Sequence, residues 1–245
     1  MPQPYELNWS RLPLEGAHNV RELGGYPAGD GCQTHYHRFL RSDGLSELTE
    51  ADRAFLHAYG VRLVLDLRDP SEVEERPDLL LGDDVRMVNV PMLAFDMSQR
   101  DEIAERFAKE PPTYEQLYDL ALGNHDAVAR CFALIAEAPE GCVLFHCAVG
   151  KDRTGILAML LMALAGCDKW DCVANYVQTR PNLMRHEWFA RAWEYQDVVP
   201  LNDSPAHAME HAWETVQAAG GVVPYLHSCG VSHEDLARVR ERLVG

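Results

Sequence analysis

The sequence predicts an α/β fold in which a central, mostly parallel sheet is flanked by helices. Short apolar runs rich in β-branched residues alternate with segments of helical periodicity, and this alternation is typical of parallel sheets. The 245 residues contain no internal repeat and no long linker rich in glycine, serine or proline, so we expect a single domain, 1–245. In such sheets ligands bind beyond the carboxyl ends of the strands, which is where a functional site is expected.

The strands are predicted from short runs bounded by glycine and proline. Gly60 precedes the apolar run 61–67, and Pro91 closes the run 85–90, because proline cannot donate to a strand ladder. The predicted strands are 38–42, 61–67, 85–90 and 142–146. The last of these leads directly into the most informative segment of the chain.

The helices are predicted from amphipathic spacing and from N-terminal capping signals. Thr49 with Asp52, and Ser232 with Asp235, have the spacing of capping boxes, and each pair opens a helix. The predicted helices are 49–59, 98–109, 113–122, 126–137, 154–166, 169–180, 186–197, 205–219 and a short one after 232. The segment 92–123 is predicted as a helical insertion, either an ordinary surface feature or a lid that shields a reactive site.

Composition and charge exclude several classes of partner. The chain carries 22 lysines and arginines against 38 aspartates and glutamates, a net charge of −16, which repels nucleic acid and anionic lipid surfaces. The longest apolar run, 156–165, is about half of the ~20 residues that a membrane span needs, and residues 1–6 show no secretory signal. The seven cysteines form no CxxC pair, so we expect a reducing cytoplasm and neither disulfides nor a zinc site.

The segment 146–155, with the sequence HCAVGKDRTG, carries the strongest chemical signal. It lies between an apolar strand and a helix, and it places Cys147 six positions before Arg153. We interpret it as a cradle for a tetrahedral dianion, because successive backbone N–H groups ahead of a helix N-terminus bind anions. Cys147 would attack phosphorus as a thiolate, since cations and helix N-termini lower cysteine pKa values.

Each remaining position of the loop has a role in this interpretation. Arg153 holds two phosphate oxygens with its planar fork, and Thr154 donates its hydroxyl to the departing thiolate. Gly150 permits a sharp turn, and His146 sets the geometry of the loop through hydrogen bonds. The loop positions expected to bind the substrate are Ala148, Val149, Gly150, Lys151 and Thr154. This chemistry requires no metal and no cofactor.

The segment resembles the HCx5R[ST] signature of the protein-tyrosine-phosphatase superfamily. Its variant is similar to that of the atypical bacterial tyrosine and dual-specificity phosphatases of the mycobacterial protein tyrosine phosphatase B type. Residues 19–26, NVRELGGY, resemble the NxRDxGG pattern of that branch, with Glu22 where aspartate is commoner, and residues 65–72, LDLRDPSE, resemble its DLR…E segment. Through these two segments the resemblance adds further candidates for lining the site: Asn19, Arg21 and Arg68.

The resemblance implies a cysteine-phosphatase-like fold and hydrolysis of phosphomonoesters through a phosphocysteine intermediate. The implied substrates are phosphotyrosine, phosphoserine and phosphothreonine on proteins, with phosphoinositides as an alternative. Lys151 bears on that alternative because a lysine within the loop can meet a second phosphate. Equally, Lys151 can simply neutralise Asp152 or the bound dianion. The sequence makes no prediction about oligomeric state.

Such a reaction also needs a carboxylic acid that protonates the leaving oxygen, and three aspartates are candidates. Asp152 lies within the loop, Asp66 ends an apolar strand, and Asp96 lies in the predicted insertion. We rank them in that order. For Asp66, an ion pair with Arg68 or Arg153 is an equally good interpretation.

Other patterns in the sequence allow different functions. Rhodanese-like sulfurtransferases also place a cysteine in an anion-binding loop, and a non-catalytic phosphate-binding module would keep the same backbone. Residues 207–211, HAMEH, match the HxxEH pattern of metalloproteases, but no third ligand is evident and an exposed helix face is the better interpretation. Cys142 is a candidate resolving thiol for an oxidised Cys147, although packing within the sheet is the simpler interpretation.

Overall fold

A five-stranded sheet forms the centre of the structure. The computed structural model describes residues 10–93, 112–185 and 204–245. The strand order is β1-β2-β5-β3-β4, in which β1 runs antiparallel to β2 and the other three pairings are parallel. The strands are β1 (Arg21–Glu22), β2 (Phe39–Ser42), β3 (Val61–Asp66), β4 (Arg86–Asn89) and β5 (Cys142–His146). The predicted α/β fold with a mostly parallel sheet is confirmed.

Strand β5 occupies the middle of the sheet because its side chains are suited to burial on both faces. All five of its residues are buried, as is typical of parallel strands covered on both sides. Val143 and Phe145 pack into the larger core, whereas Cys142 and Leu144 pack into the smaller one on the opposite face. The four predicted strands are present with ends shifted by at most one residue, and only the two-residue β1 was not predicted.

Ten α-helices and one short 3₁₀ helix, Gly29–Gly31, lie within the described residues. The α-helices are α1 (Glu50–Tyr59), α2 (Pro70–Glu75), α3 (Tyr114–Gly123), α4 (His125–Ala136), α5 (Asp152–Ala165), α6 (Lys169–Val177), α7 (Thr179–Leu183), α8 (Ala206–Ala218), α9 (Val222–Ser228) and α10 (His233–Val244). Helices α2 and α9 were not predicted, since six or seven residues are too few for a helical period to be recognised. The predicted helix 169–180 is divided at Gln178 into α6 and α7. The predicted helices 98–109 and 186–197 lie outside the described residues.

The two predicted capping boxes differ in outcome. At α1 the box is complete, because Thr49 and Asp52 each accept a hydrogen bond from the other's backbone N–H. At α10 only half of it forms. Ser232 accepts from the Asp235 N–H, but its own hydroxyl, not its backbone, donates to the Asp235 carboxylate at 2.8 Å. Both helices nevertheless begin where the sequence predicts.

Helix α5 is the main element of the larger core. It is apolar around its whole circumference, and eleven of its fourteen residues are buried. The central leucines Leu157, Leu160 and Leu161 are fully inaccessible, and burying such a side chain stabilises the fold by roughly 1.5–3 kcal/mol. This packing fixes the N-terminus of α5 next to the end of β5.

The predicted insertion 92–123 falls partly within the described residues. Its second half is α3, whose Tyr118 and Leu122 are buried in the larger core. The first half, including Asp96, lies outside the described residues, so the lid stays a prediction. Among the helices of the described ranges, none combines the length and the hydropathy that crossing a bilayer requires.

Candidate active site

The candidate site is the loop 147–151 between β5 and α5. It lies beyond the carboxyl end of the central strand, where the sequence predicts it. Gly150 has a φ of +67°, and a Cβ atom there would lie 2.3 Å from the carbonyl oxygen of Ser42 in β2. A left-handed backbone and this close approach together require glycine. Within the described residues no hydrogen bond uses the N–H groups of Ala148, Val149 or Gly150, so they can bind an anion.

Cys147 emerges at the start of this loop with a thiol that ionises readily. The side chain is buried, 2% exposed. Burial alone would raise the pKa of Cys147, but the charge of Arg153 and the neighbouring hydroxyl and N–H of Thr154 outweigh it and lower the pKa below the ordinary thiol value. A lowered pKa favours the thiolate, which is the form in which a cysteine acts as a nucleophile.

Arg153 is held by a carboxylate that sequence reasoning did not select. The two terminal nitrogens of its guanidinium donate to the two carboxylate oxygens of Glu72, one of them at 2.9 Å. Glu72 belongs to α2, where it also completes a capping box with Asp69. Although burial raises the pKa of Glu72, the paired Arg153 lowers it below its usual range. The signal was present in the sequence as Asp69-Pro70-Ser71-Glu72, a capping box with proline at the first helical position.

His146, on the other side of Cys147, takes part in a buried ionic cluster. Its Nε2 lies 3.0 Å from Asp78 Oδ2, and its Nδ1 lies 3.2 Å from the Cys147 carbonyl oxygen. Burial lowers the pKa of His146, but the Asp78 carboxylate outweighs burial and the net pKa is raised. His146 thus contacts the start of the loop and Asp78, a partner that the sequence did not reveal, and its role as a support of the loop stays a prediction.

Asp66 and Arg68 are engaged with each other rather than with the loop. Arg68 donates to Asp66 through its backbone N–H, its Nε and its Nη2 at 2.8–3.0 Å. The same Nη2 lies 2.9 Å from Asp78. Asp66, Asp78 and His146 present ligand atoms within 4.8 Å of one another, a set able to hold a metal, but the guanidinium of Arg68 already supplies the cation there.

Asp152 stands at the opposite rim of the loop, at the first position of α5. Its side chain is 27% exposed, and Lys151 Nζ lies 3.6 Å from its Oδ2. The Tyr118 hydroxyl donates to Oδ1 at 2.9 Å. Lys151 itself is nearly buried, with its amino group 4.8 Å from the ring centroid of Tyr114. Of the three predicted acids, Asp152 is at the loop, Asp66 is in the Arg68 ion pair, and Asp96 lies outside the described residues.

The loop is supported from beneath by buried polar side chains. Asn19 Nδ2 donates to the carbonyl oxygens of Val149 and Gly150 at 2.9 and 3.1 Å. Arg41 donates to the Gly150 carbonyl at 2.7 Å. Arg21 is fully buried and donates to Asn19, so it supports the loop indirectly and does not line the site. Arg41 was missed, although an arginine inside a predicted strand is an unusual residue.

A cleft of about 550 Å³ opens beside the loop. Ala148 and Val149 line one side, and Arg68 with helix α2 lines the other. Arg68 was also predicted to bind the substrate, and although it borders this cleft, its guanidinium is paired with Asp66 and Asp78. Glu72, the partner of Arg153, also lines this cleft, whereas Cys147 and Arg153 themselves are not among its lining residues.

The other sequence patterns have structural explanations. His211 Nε2 lies 2.8 Å from Asp119 Oδ1, and His207 Nε2 lies 3.7 Å from Glu115 Oε1, so the two histidines join α8 to α3 by surface ion pairs. Cys142 is at the far end of β5, about 16 Å from Cys147 at ~3.3 Å per residue. That separation excludes a disulfide between them without unfolding of the strand, and burial raises the pKa of Cys142.

Known proteins of similar sequence indicate the family of this chain. The sequence pattern of the tyrosine phosphatase family matches residues 12–245. A tyrosine-protein phosphatase of Nostoc commune is 34% identical over 84% of this chain and 74% of its own. The triple specificity protein phosphatase PtpB of Mycobacterium tuberculosis is 27% identical over 95% of this chain and 98% of its own.

Among solved structures, the chain overlaps with TpbA of P. aeruginosa in complex with pTyr. That overlap covers 82% of this chain and 91% of TpbA at 17% identity, with a TM-score of 0.36, which is too low to support an argument. The assignment depends instead on the family match along nearly the whole chain and on the loop between β5 and α5. The chain belongs to the tyrosine phosphatase family.

Proposed function

We propose that this enzyme hydrolyses phosphomonoesters through a phosphocysteine at Cys147. The observation that carries the proposal is the position of Cys147 and Arg153 at the two ends of the segment 147–153, whose backbone N–H groups at 148–150 make no hydrogen bond within the described residues, together with the lowered pKa of Cys147. The substrates are phosphotyrosine and, more broadly, phosphoserine and phosphothreonine on proteins. We include phosphoserine and phosphothreonine because the relative from Mycobacterium tuberculosis is named a triple specificity protein phosphatase.

In the first step the thiolate of Cys147 attacks phosphorus. The phosphate is held by the loop backbone, from Ala148 onwards, and by the guanidinium of Arg153, which keeps its contacts as the phosphoryl group becomes trigonal. The S–P bond forms while the bond from phosphorus to the ester oxygen breaks. Asp152 donates a proton to that oxygen, so the alcohol or phenol leaves neutral.

In the second step water attacks the phosphocysteine. Asp152, now ionised, accepts a proton from the water as the O–P bond forms and the S–P bond breaks. The thiolate of Cys147 departs with both electrons and is stabilised by Thr154, whose hydroxyl and N–H lower the pKa of Cys147 in the free enzyme. Inorganic phosphate and the starting enzyme result. Each residue used here lies on the loop or on the first turn of α5.

The phosphoinositide alternative has one observation in its favour. The amino group of Lys151 lies within the site, 3.6 Å from Asp152 and 3.4 Å from the Tyr114 hydroxyl, and a second phosphate of a polyphosphorylated ligand could replace these partners. The family match gives no support to a sulfurtransferase. A reducing cytoplasm remains the proposed compartment, since all seven cysteines are free thiols.

Initial rates of phosphate release from matched phosphopeptides and short-chain phosphoinositides test this proposal. We expect turnover of phosphotyrosine peptides that is abolished in Cys147→Ser and retained in Cys131→Ser, which alters a buried cysteine of the core whose pKa is raised. Turnover that survives in Cys147→Ser would overturn the mechanism. Rates that are higher on phosphoinositides than on every peptide would transfer the proposal to the lipid class.

A further inference from the structure

We propose that Tyr118, supported by Tyr176, is a positioning residue that engages Oδ1 of Asp152 and leaves Oδ2 to deliver the proton to the leaving oxygen. The inference depends on the proposed role of Asp152 as the acid. It assigns a function to helix α3, the described half of the predicted insertion. None of these tyrosines is part of the loop sequence.

The contacts form a chain of three groups. The Tyr118 hydroxyl lies 2.9 Å from Asp152 Oδ1 and 2.8 Å from the Tyr176 hydroxyl. A phenol carries one hydrogen, so when Tyr118 donates to the carboxylate, the hydrogen between the two tyrosines must come from Tyr176. Tyr176 thus directs the hydrogen of Tyr118 towards Asp152. This order leaves Asp152 Oδ1 as an acceptor.

The two tyrosines are fixed in place by burial. Tyr118 and Tyr176 are 1% and 0% exposed, and their rings meet edge to face at 6.2 Å. Tyr176 also packs against α5 at Gly155, where a Cβ atom would lie 3.1 Å from its ring. Burial raises the pKa of both phenols well above the ordinary value, so Tyr118 remains a hydrogen-bond donor while Asp152 changes its protonation state.

This arrangement divides the two oxygens of Asp152 between two tasks. Oδ1 accepts from Tyr118, whereas Oδ2 lies on the side of Lys151, 3.6 Å from its amino group. A carboxyl group without such a contact rotates freely and offers the proton from either oxygen in several directions. Preorganisation by Tyr118 therefore raises the fraction of productive geometries, and its loss matters most when the leaving oxygen most needs a proton.

The test compares kcat/KM on a poor and a good leaving group, phenyl phosphate and 4-nitrophenyl phosphate. The ratio kcat/KM reports the first chemical step, in which the leaving group departs. For Tyr118→Phe we expect roughly a tenfold loss on phenyl phosphate, the size expected for one lost hydrogen bond to a charged group, and a clearly smaller loss on 4-nitrophenyl phosphate. In Asp152→Asn the further change Tyr118→Phe should have no effect on either substrate.

A matched control is Tyr225→Phe. Tyr225 is another buried tyrosine whose hydroxyl donates to α3, at the Leu122 carbonyl, at 2.7 Å, yet it lies away from Asp152. This variant should leave the ratio of the two rates unchanged. If Tyr118→Phe does not fold, Tyr176→Phe carries the test, with a selective loss of the same direction.

The outcomes separate the inference from the proposed function. Equal losses on both substrates in Asp152→Asn would show that Asp152 is not the acid. A selective loss in Asp152→Asn, together with equal losses in Tyr118→Phe or with additive effects in the double variant, would overturn the positioning role alone. A selective loss in Tyr118→Phe that disappears in the Asp152→Asn background supports it.

Discussion

The substitution Glu72→Gln removes the carboxylate that holds Arg153. In the enzyme both terminal nitrogens of Arg153 donate to Glu72, and this leaves the guanidinium in one orientation beside the loop. A glutamine keeps the shape of the side chain but replaces one acceptor oxygen by an NH2 group, which faces the guanidinium donors and repels them. We expect Arg153 to become mobile and to bind the transferring phosphoryl group less well.

The magnitude follows from the exposure of the pair. Removing one partner of a buried, hydrogen-bonded charge pair costs about 3–5 kcal/mol, whereas exposed pairs contribute about 0–1 kcal/mol. The side chains of Arg153 and Glu72 are 14% and 35% exposed, so the pair lies between these limits. An intermediate coupling of about 2 kcal/mol, when all of it serves to orient Arg153 in the transition state, corresponds to a fall of up to roughly 30-fold in kcat/KM.

The assay is kcat/KM on 4-nitrophenyl phosphate, with thermal unfolding to verify the fold. Glu74→Gln is the matched control, since Glu74 is an exposed glutamate on the same helix. It should retain wild-type activity. An activity of Glu72→Gln equal to that of the wild type would show that Glu72 does not orient Arg153 for catalysis. A higher activity would show that Glu72 competes with the phosphate for Arg153.

Three further predictions concern the loop and its support. Because Arg153 and Thr154 lower the pKa of Cys147 against the effect of burial, alkylation by iodoacetamide should persist below the pH at which ordinary thiols react, and Thr154→Val should move its midpoint upwards. Asp78 raises the pKa of His146 in the folded state despite its burial. The contribution of His146 to stability is therefore complete below the unfolded pKa of about 6.5 and is lost as the pH rises through the folded pKa. Urea unfolding at a series of pH values should show this decline in the wild type and not in His146→Asn. Gly150→Ala places a Cβ atom 2.3 Å from a β2 carbonyl in a left-handed backbone, and should lower stability by at least about 1–2 kcal/mol and abolish activity, whereas retained activity would show that the loop adopts another conformation.

Elements with a continuous apolar stretch or a clear capping signal could be predicted from the sequence. Strand β5 and helix α5 have continuous apolar stretches with defined ends, and the four predicted strands and the capped helix α1 are present. Short elements escaped prediction because two to seven residues contain at most about two periods, too few for a pattern to be recognised, as at β1, α2 and α9. For α2 the capping box beginning at Asp69 was a usable signal that periodicity alone does not register.

The candidate site could also be predicted only in part. Cys147, Arg153 and the loop backbone are neighbours in the sequence, so the segment alone predicts their proximity. Their partners come from distant segments, with Glu72 81 residues from Arg153 and Tyr118 34 residues from Asp152. No local pattern links such positions, and only the fold brings them together.

The source of positive charge at the site likewise could not be located from the sequence. A net charge of −16 opposes a phosphorylated substrate at long range, which predicts a local source of positive charge. The structure provides it beneath the loop, where the guanidinium of Arg41 is buried and donates to the neutral oxygens of Gly150 and Asn175. Buried cations next to Cys147 favour both the thiolate and the bound dianion.

Mass spectrometry of acid-quenched enzyme during turnover of 4-nitrophenyl phosphate tests whether the reaction passes through a phosphocysteine at Cys147. Asp152→Asn is the suitable background, because this substrate needs little help in leaving while hydrolysis of the intermediate loses its base. We expect one phosphoryl group to accumulate on the peptide that contains Cys147, and none to be found in Cys147→Ser. A phosphoryl group on any other residue, or turnover by Cys147→Ser, would contradict it.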